Sequence, residues 1–215
     1  MNNSFQRFRD FVLLVLLLPI WLPLLIIVLS ITLIKDGKPL FYSQKRIGLH
    51  GKPFEIFKIR TMLTDTRLVD DLRITSNGHF LREWSLDELP QLLNVLRGEM
   101  SLIGPRPLIW AYKDELDPEV EVKRHSVRPG ITGWAQVNGR NELSWSEKLI
   151  YDQWYIKRKS FFFDLFILAR TMPVWLKKEG IYTKDGKMMP ELKVISSEDK
   201  SKPTKEVSFS KSILS

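Results

Sequence analysis

From Phe11 to Ile34 the chain carries no charged side chain, while Arg7, Arg9 and Asp10 precede the run and Lys35, Asp36 and Lys38 follow it. At about 1.5 Å per residue a straight helix of that length reaches roughly 36 Å, enough to cross a hydrocarbon core of about 30 Å. It reads as a membrane segment. Pro19 and Pro23 lie in its middle, and each removes a backbone hydrogen bond, so the pattern predicts a break near Leu22 and Pro23. Two arms of roughly 15 to 20 Å would each be too short to cross alone, which sets a re-entrant helix beside a kinked spanning one. Basic residues flank both ends without the one-sided bias expected of a span. A cleaved signal peptide does not fit, because the run is too long and no small-x-small cleavage site follows it.

Beyond the apolar run, 215 residues with 44% hydrophobic content can build one core. With no cysteine, disulfides, thiolate catalysis and Cys-ligated metals are excluded, and His50, His79 and His125 have no metal-ligand spacing. Any metal is then a hard, oxygen-liganded ion such as Mg2+. A net charge of +8 asks for an anionic partner: nucleic acid, anionic lipid or a phosphorylated substrate.

The chemistry concentrates in Ser85-Leu-Asp-Glu-Leu-Pro-Gln91 and Gly104-Pro-Arg-Pro107. Asp87 and Glu88 form an adjacent acid pair, and the Gly-Pro-Arg-Pro turn returns the fixed cation of Arg106 toward them. One carboxylate can attack or hold a metal while a guanidinium takes up charge on phosphate oxygens, a pattern that suits phosphoryl transfer. The structural alternative is a capping box from Ser85 to Glu88. Pro90 complicates that helix, so its start is expected nearer Asp87, or a bend there. Free N–H groups at such a start should keep Asp87 ionised.

Around this motif, residues 39–62 read as a hairpin, with a turn through Gly48–Lys52, alternating residues Phe54 to Arg60, and Phe54, Ile56 and Ile59 in the core. Arg60 is either a strand end or a phosphate ligand. Thr64 to Gly78 is polar and turn-rich, as a lid over the site would be, and Arg82 is the next basic candidate. Val127 to Asn141 holds three glycines and must turn tightly; its backbone, with Arg128, Thr132, Gln136, Asn138 and Arg140, could supply donors to a nucleotide diphosphate. From Trp145 to Trp175 aromatics and lysines alternate as on headgroup-level helices, or as in ordinary buried ones. After Lys184 the composition predicts a disordered tail, 184–215.

Taken together, the motifs at 57–62, 85–91, 104–107 and 128–134 resemble those of the small bacterial sugar transferases, the monotopic polyprenyl-phosphate phosphoglycosyl transferases, over roughly residues 5 to 180. The resemblance implies an α+β, mostly helical chain: a re-entrant membrane helix (1–38) broken at a Ser-Pro pair, here Leu22-Pro23, followed by a catalytic domain (39–183). That domain would hold a small β-hairpin and amphipathic interfacial helices around a cytoplasmic active site at the bacterial inner membrane. Arg7 matches the family's headgroup contact with phospholipid. The implied reaction is ping-pong: Asp87 attacks the β-phosphate of a UDP-sugar, UMP leaves, and undecaprenyl phosphate takes the phospho-sugar. Mg2+ at Asp87, Glu88 as orienting or proton-moving group, and Arg82, Arg106 and Arg128 as phosphate clamps complete the expectation. Nucleic acid is then no partner, and a homo-oligomer stays open. A one-step glycosyltransferase releasing UDP and a non-enzymatic membrane adaptor are the competing classes.

Overall fold

In the computed structural model, which describes residues 3–65, 67, 73–113 and 118–181, the apolar run is part of one helix, α1 (Asn3–Asp36). By length and composition it could cross a membrane. α1 stays helical through Pro19 and Pro23, so the expected break near Pro23 is not an interruption of the helix. The physical reason is that packing holds it on both sides of the prolines, which outweighs the lost hydrogen bonds. Leu14 is buried against Ile56, Val95 and Met100, while Trp21, Leu25 and Val28 are buried with Ile59 and Leu81. Between these anchors Val15 to Ile20 are exposed on every face of the helix.

Polar contacts tie both ends of α1 to the same globular body. At the N-terminal end Gln6 Nε2 donates to Ser101 Oγ at 2.9 Å and to the Ile103 carbonyl at 3.0 Å, and Ser101 Oγ donates to Asp10 at 2.6 Å. Arg9 joins Asp10 at 2.7 Å and also pairs with Asp164, which accepts from the Tyr155 hydroxyl at 2.9 Å. All of these groups are buried. At the C-terminal end Asn77 Nδ2 donates to Asp36 at 2.7 Å. Arg60 donates there to the carbonyls of Asp36 (2.5 Å), Gly37 (3.1 Å) and Pro39 (2.6 Å), and to Met62 at 3.2 Å. Arg60 is therefore corrected from phosphate ligand to helix anchor: its donors are spent on the carbonyls that a helix end leaves unpaired.

The hairpin forms as expected, from β1 (Phe41–Ile47) and β2 (Pro53–Ile59), antiparallel with Tyr42 opposite Lys58. Ile56 and Ile59 are buried and Phe54 is half-buried. The expected lid, 64–78, falls partly outside the described residues; its end is helical instead, because Thr75 caps α2 (Ser76–Glu83) by accepting from the Gly78 N–H at 2.8 Å. A single 3-10 turn, Leu86–Glu88, leads to α3 (Gln91–Arg97), which ends at Gly98 with φ of 82°. β3 (Ser101–Ile103) and β4 (Gly130–Thr132) pair in parallel. α4 (Pro118–Arg124), α5 (Trp145–Arg158) and α6 (Phe161–Leu176) complete the described elements.

The aromatic stretch divides between the two readings. Trp134 stacks on Trp154 at 5.2 Å and meets Phe163 at 5.1 Å edge-on, which makes the rings around it core. Phe162, Leu165, Phe166, Met172 and Leu176 of α6 are exposed, and Phe161 meets Phe5 of α1 at 5.8 Å. The apolar face of α6 thus adjoins the start of α1. The expected tail, 184–215, lies outside the described residues.

The buried ion network fixes one prediction: Asp164→Ala leaves Arg9 with Asp10 alone and takes the carboxylate acceptor from the Tyr155 hydroxyl, and should cost about 1–3 kcal/mol. Thermal unfolding of the detergent-solubilised protein checks it, with Tyr155→Phe expected to cost far less.

Candidate functional site

Ser85 begins the acid motif in the left-handed region (φ 49°), with no side-chain cap bond, so the capping-box reading fails. The hydroxyl instead accepts from Arg140 Nη2 at 3.1 Å. Leu86 and Leu89, three apart, pack into the cluster of Trp21, Leu25, Val28, Ile59 and Leu81. In a turn of about three residues per revolution this faces the intervening acids away from that cluster. Pro90 occupies the N-cap of α3, so the helix starts at Gln91 rather than near Asp87.

Glu88 is the electrostatic centre of the site. Arg106 reaches it through both nitrogens, Nη2 to Oε1 at 2.5 Å and Nη1 to Oε2 at 3.3 Å, and Lys58 Nζ lies 2.8 Å from Oε1. Burial would raise its pKa, but Arg106 and then Lys58 hold the Glu88 carboxyl well below the usual carboxylate range. Asp87 differs. Among the described residues its carboxylate has only Lys58 as partner, at 3.4 Å. Burial pushes its pKa up, against Lys58 and with the neighbouring Glu88 charge. The expected backbone N–H donors to Asp87 are absent among the described residues, because the turn carries the carboxylate off the helix start. One acid is thus fixed as an anion, and the other keeps an unpaired oxygen.

The cations are positioned by the surrounding fold. The carbonyl of Arg106 accepts from Arg124 Nη2 at 2.5 Å, and Arg124 Nε pairs with Asp152 at 2.9 Å, both side chains 4% exposed. Arg46 donates to the Pro107 carbonyl at 2.9 Å, and its pKa is lowered to about 10 by burial and then by the like charge of Arg106. Lys148 of α5 is lowered to about 8 by the same two causes in the same order. Arg82 donates to Thr61 Oγ1 at 2.9 Å and its charge acts on Asp87. Arg140 has its pKa lowered by burial and then by Arg106, while both acids attract it. Lys58, Arg82, Arg106 and Arg140 thus outnumber the two acids, leaving net positive charge for an anion.

The glycine-rich segment works differently from expectation. Gly104 N–H donates to the Thr132 carbonyl and Gly130 N–H to the Pro105 carbonyl, each at 2.9 Å, so these amides close the β3–β4 pairing rather than cradle an anion. A Cβ on Gly130 would lie 2.1 Å from the Gly104 nitrogen, and only bare backbone fits there. This contact places Thr132 and Gln136 beside Arg106, around a cavity of about 220 Å³ that Glu88, Arg140 and Thr171 also line.

Two predicted ligands lie elsewhere. Arg128 donates to the Gly98 carbonyl at 2.9 Å and to the Asn3 carbonyl at 3.3 Å, beside Arg7, Phe8 and Phe11 at the start of α1. In this structure it makes a helix-end contact and does not line the cavity beside the acids. Asn138 donates to the Trp134 carbonyl at 2.7 Å and does not line the cavity. Arg7, expected at a headgroup, donates to the Val95 and Leu96 carbonyls at the end of α3. Lys58 and the Arg124–Asp152 pair were missed. The signal for Lys58 was its parity with Phe54 and Ile56 on β2, which places a lysine on an inward face; Arg124 and Asp152 carried none.

A model of the family described as bacterial sugar transferase matches residues 1–178, and the chain belongs to that family. EpsL of Bacillus subtilis, an uncharacterized sugar transferase, is 49% identical over 164 residues, covering 74% of this chain and 80% of that protein. The undecaprenyl-phosphate galactose phosphotransferase of Salmonella typhimurium is 37% identical over 207 residues, covering 84% of this chain and 42% of its own length. The UDP-glucose:undecaprenyl-phosphate glucose-1-phosphate transferase of Escherichia coli is 40% identical over 186 residues, covering 80% and 40%. This chain therefore spans about two fifths of those two proteins and about four fifths of EpsL.

Because Lys58 opposes the rise in the Asp87 pKa, Lys58→Met should move the Asp87 titration midpoint upward. Carbon-13 NMR of labelled aspartate carboxyls, assigned with Asp87→Asn, measures it.

Proposed function

We propose that the protein transfers a sugar-1-phosphate from a UDP-sugar to undecaprenyl phosphate, releasing UMP, in the membrane step that begins a lipid-linked glycan. The observation that carries this reading is the asymmetric acid pair: Glu88 held by Arg106 and Lys58, Asp87 buried with one oxygen unpaired. The relatives named for galactose and glucose phosphotransfer to undecaprenyl phosphate support it.

In the first half-reaction an Asp87 oxygen forms a bond to the β-phosphorus. The bond from that phosphorus to the bridging oxygen breaks, and UMP leaves with the electron pair. In the second half a phosphate oxygen of the polyprenyl phosphate attacks the same phosphorus and returns the carboxylate. Splitting the transfer lets a soluble donor and a membrane acceptor use one carboxylate in turn. Lys58, Arg106, Arg140 and Arg82 take up charge on the diphosphate oxygens.

The unpaired oxygen of Asp87 fits a Mg2+ ion held mainly by substrate phosphates, whereas Glu88 is committed to its cations. Bound there, the ion would neutralise charge on the donor's diphosphate as UMP leaves.

The contacts of α1 support a particular membrane placement. A span puts its ends on opposite faces of the bilayer, yet both ends of α1 make polar contacts to one body. We favour the re-entrant arrangement on the cytoplasmic face of the inner membrane, with Val15 to Ile20, exposed all round, at the greatest depth and the α6 apolar face in the headgroup region.

Purified protein with a panel of UDP-sugars and undecaprenyl phosphate should release UMP, and mass spectrometry after omission of the acceptor should find the phospho-sugar on Asp87. Asp87→Asn should abolish both. UDP as the released nucleotide, or normal turnover by Asp87→Asn, would overturn the reading. Because an attacking carboxylate must be ionised and the Asp87 pKa is raised, turnover should fall as pH drops through that raised value, while Glu88 stays charged to lower pH. A pH–rate profile checks the sign: Lys58→Met should move its acid limb toward higher pH.

A further inference from the structure

Gln136 is nine-tenths buried, yet neither its Nε2 nor its Oε1 has a hydrogen-bond partner among the described residues. Buried amides are nearly always paired, and one left unpaired destabilises the fold relative to an apolar side chain of the same shape. The group cannot settle by moving toward its own loop, because Oε1 already abuts Gly133, where a Cβ would lie 2.8 Å away. It lines the cavity whose mouth carries Glu88 and Arg106 and whose walls include Leu89, Leu92, Ile131, Val137, Val174 and Trp175.

The chemistry of that cavity narrows its occupant. Its volume of about 220 Å³ is below the roughly 300–1,000 Å³ of sites that enclose a whole ligand, so it takes one group of a substrate. A phosphate belongs at the mouth, with Arg106 and Arg140, and not against apolar walls. A prenyl chain would fit the walls and leave the Gln136 amide unpaired, at the same cost as before. A group that is flat and apolar on its faces, with one acceptor and one donor on its edge, satisfies both the walls and the amide.

We propose that this cavity is a recognition subsite for a planar amide edge of the nucleotide-sugar donor, with Gln136 Nε2 donating to its carbonyl and Oε1 accepting from its N–H. The inference rests on the donor assignment above. Two parts of such a donor carry that edge: the uracil base, and an acetamido substituent on the sugar. Either one pairs the amide only when the donor is bound, so Gln136 would serve affinity at the expense of stability.

The test uses the full chain in detergent or nanodiscs, with binding of UMP, UDP-glucose, UDP-galactose, UDP-N-acetylglucosamine and UDP-N-acetylgalactosamine measured by calorimetry, alongside KM and kcat. Gln136→Leu keeps the volume and removes both polar atoms; Gln136→Glu keeps the shape and loses the donor. Both should weaken binding about tenfold to a hundredfold, with kcat changed far less. A loss common to UMP and every donor assigns the edge to uracil. A loss confined to the N-acetyl donors, with UMP unaffected, assigns it to the acetamido group. Gln136→Leu should also unfold about 2 to 4 °C higher, since it removes an unpaired buried amide. Unchanged affinity for every ligand in both variants would overturn the proposal, as would a lowered unfolding temperature for Gln136→Leu with binding intact. Absence of UMP release by the wild type would instead count against the transfer reaction, while the binding measurements would still decide the role of Gln136.

Discussion

The ion pairs that Glu88 makes with Arg106 and Lys58 set the character of everything around them. They place two cations at a buried carboxylate without neutralising the acid beside it. Had Asp87 been the bidentate partner, its oxygens would be occupied and its pKa depressed. The arrangement depends on distant support. Arg106 is held through its carbonyl by Arg124, which is held in turn by Asp152, so a salt bridge between α4 and α5 positions a cation at the end of β3. Lys58 is delivered by the hairpin, and Asn94 of α3 pins that hairpin by donating to the Glu55 carbonyl at 2.7 Å.

α1 is part of this construction. Its inner face supplies Trp21, Leu25 and Val28 to the cluster that also holds Leu86 and Leu89 on either side of the acids, and Leu14 to the cluster of Ile56, Val95 and Met100. Loss of α1 would therefore loosen the turn that presents Asp87. The buried Arg9, Asp10 and Asp164 network and the Arg60 contacts fix the two ends of the helix, and they explain why charged residues stand at the ends of the apolar run.

Local signals carried the hairpin, the acid pair, the return of Arg106 and the apolar helix, because each depends on residues close in sequence. The misassignments share one cause. Arg60, Arg128 and Arg106 look alike along the chain: Arg60 follows a strand, while Arg128 and Arg106 stand beside glycine- and proline-marked turns. Arg60 and Arg128 end on backbone carbonyls at helix ends, while Arg106 ends on Glu88. Which acceptor a guanidinium meets is set by elements tens of residues away. The same holds for Gly104 and Gly130: the tight turns were readable, but not that the parallel pairing would consume these two N–H groups.

Composition and order of residues alone determined a cysteine-free chain with one apolar segment long enough to cross a membrane and a two-carboxylate motif followed by a returning arginine, since hydrophobic length, charge and side-chain chemistry are properties of short segments. Tertiary structure alone decided that Glu88, and not Asp87, takes Arg106, that Lys58 joins them, and that Gln136 lies beside the site without a partner among the described residues. These depend on burial and on distances across the fold, and neither exists until the chain closes on itself.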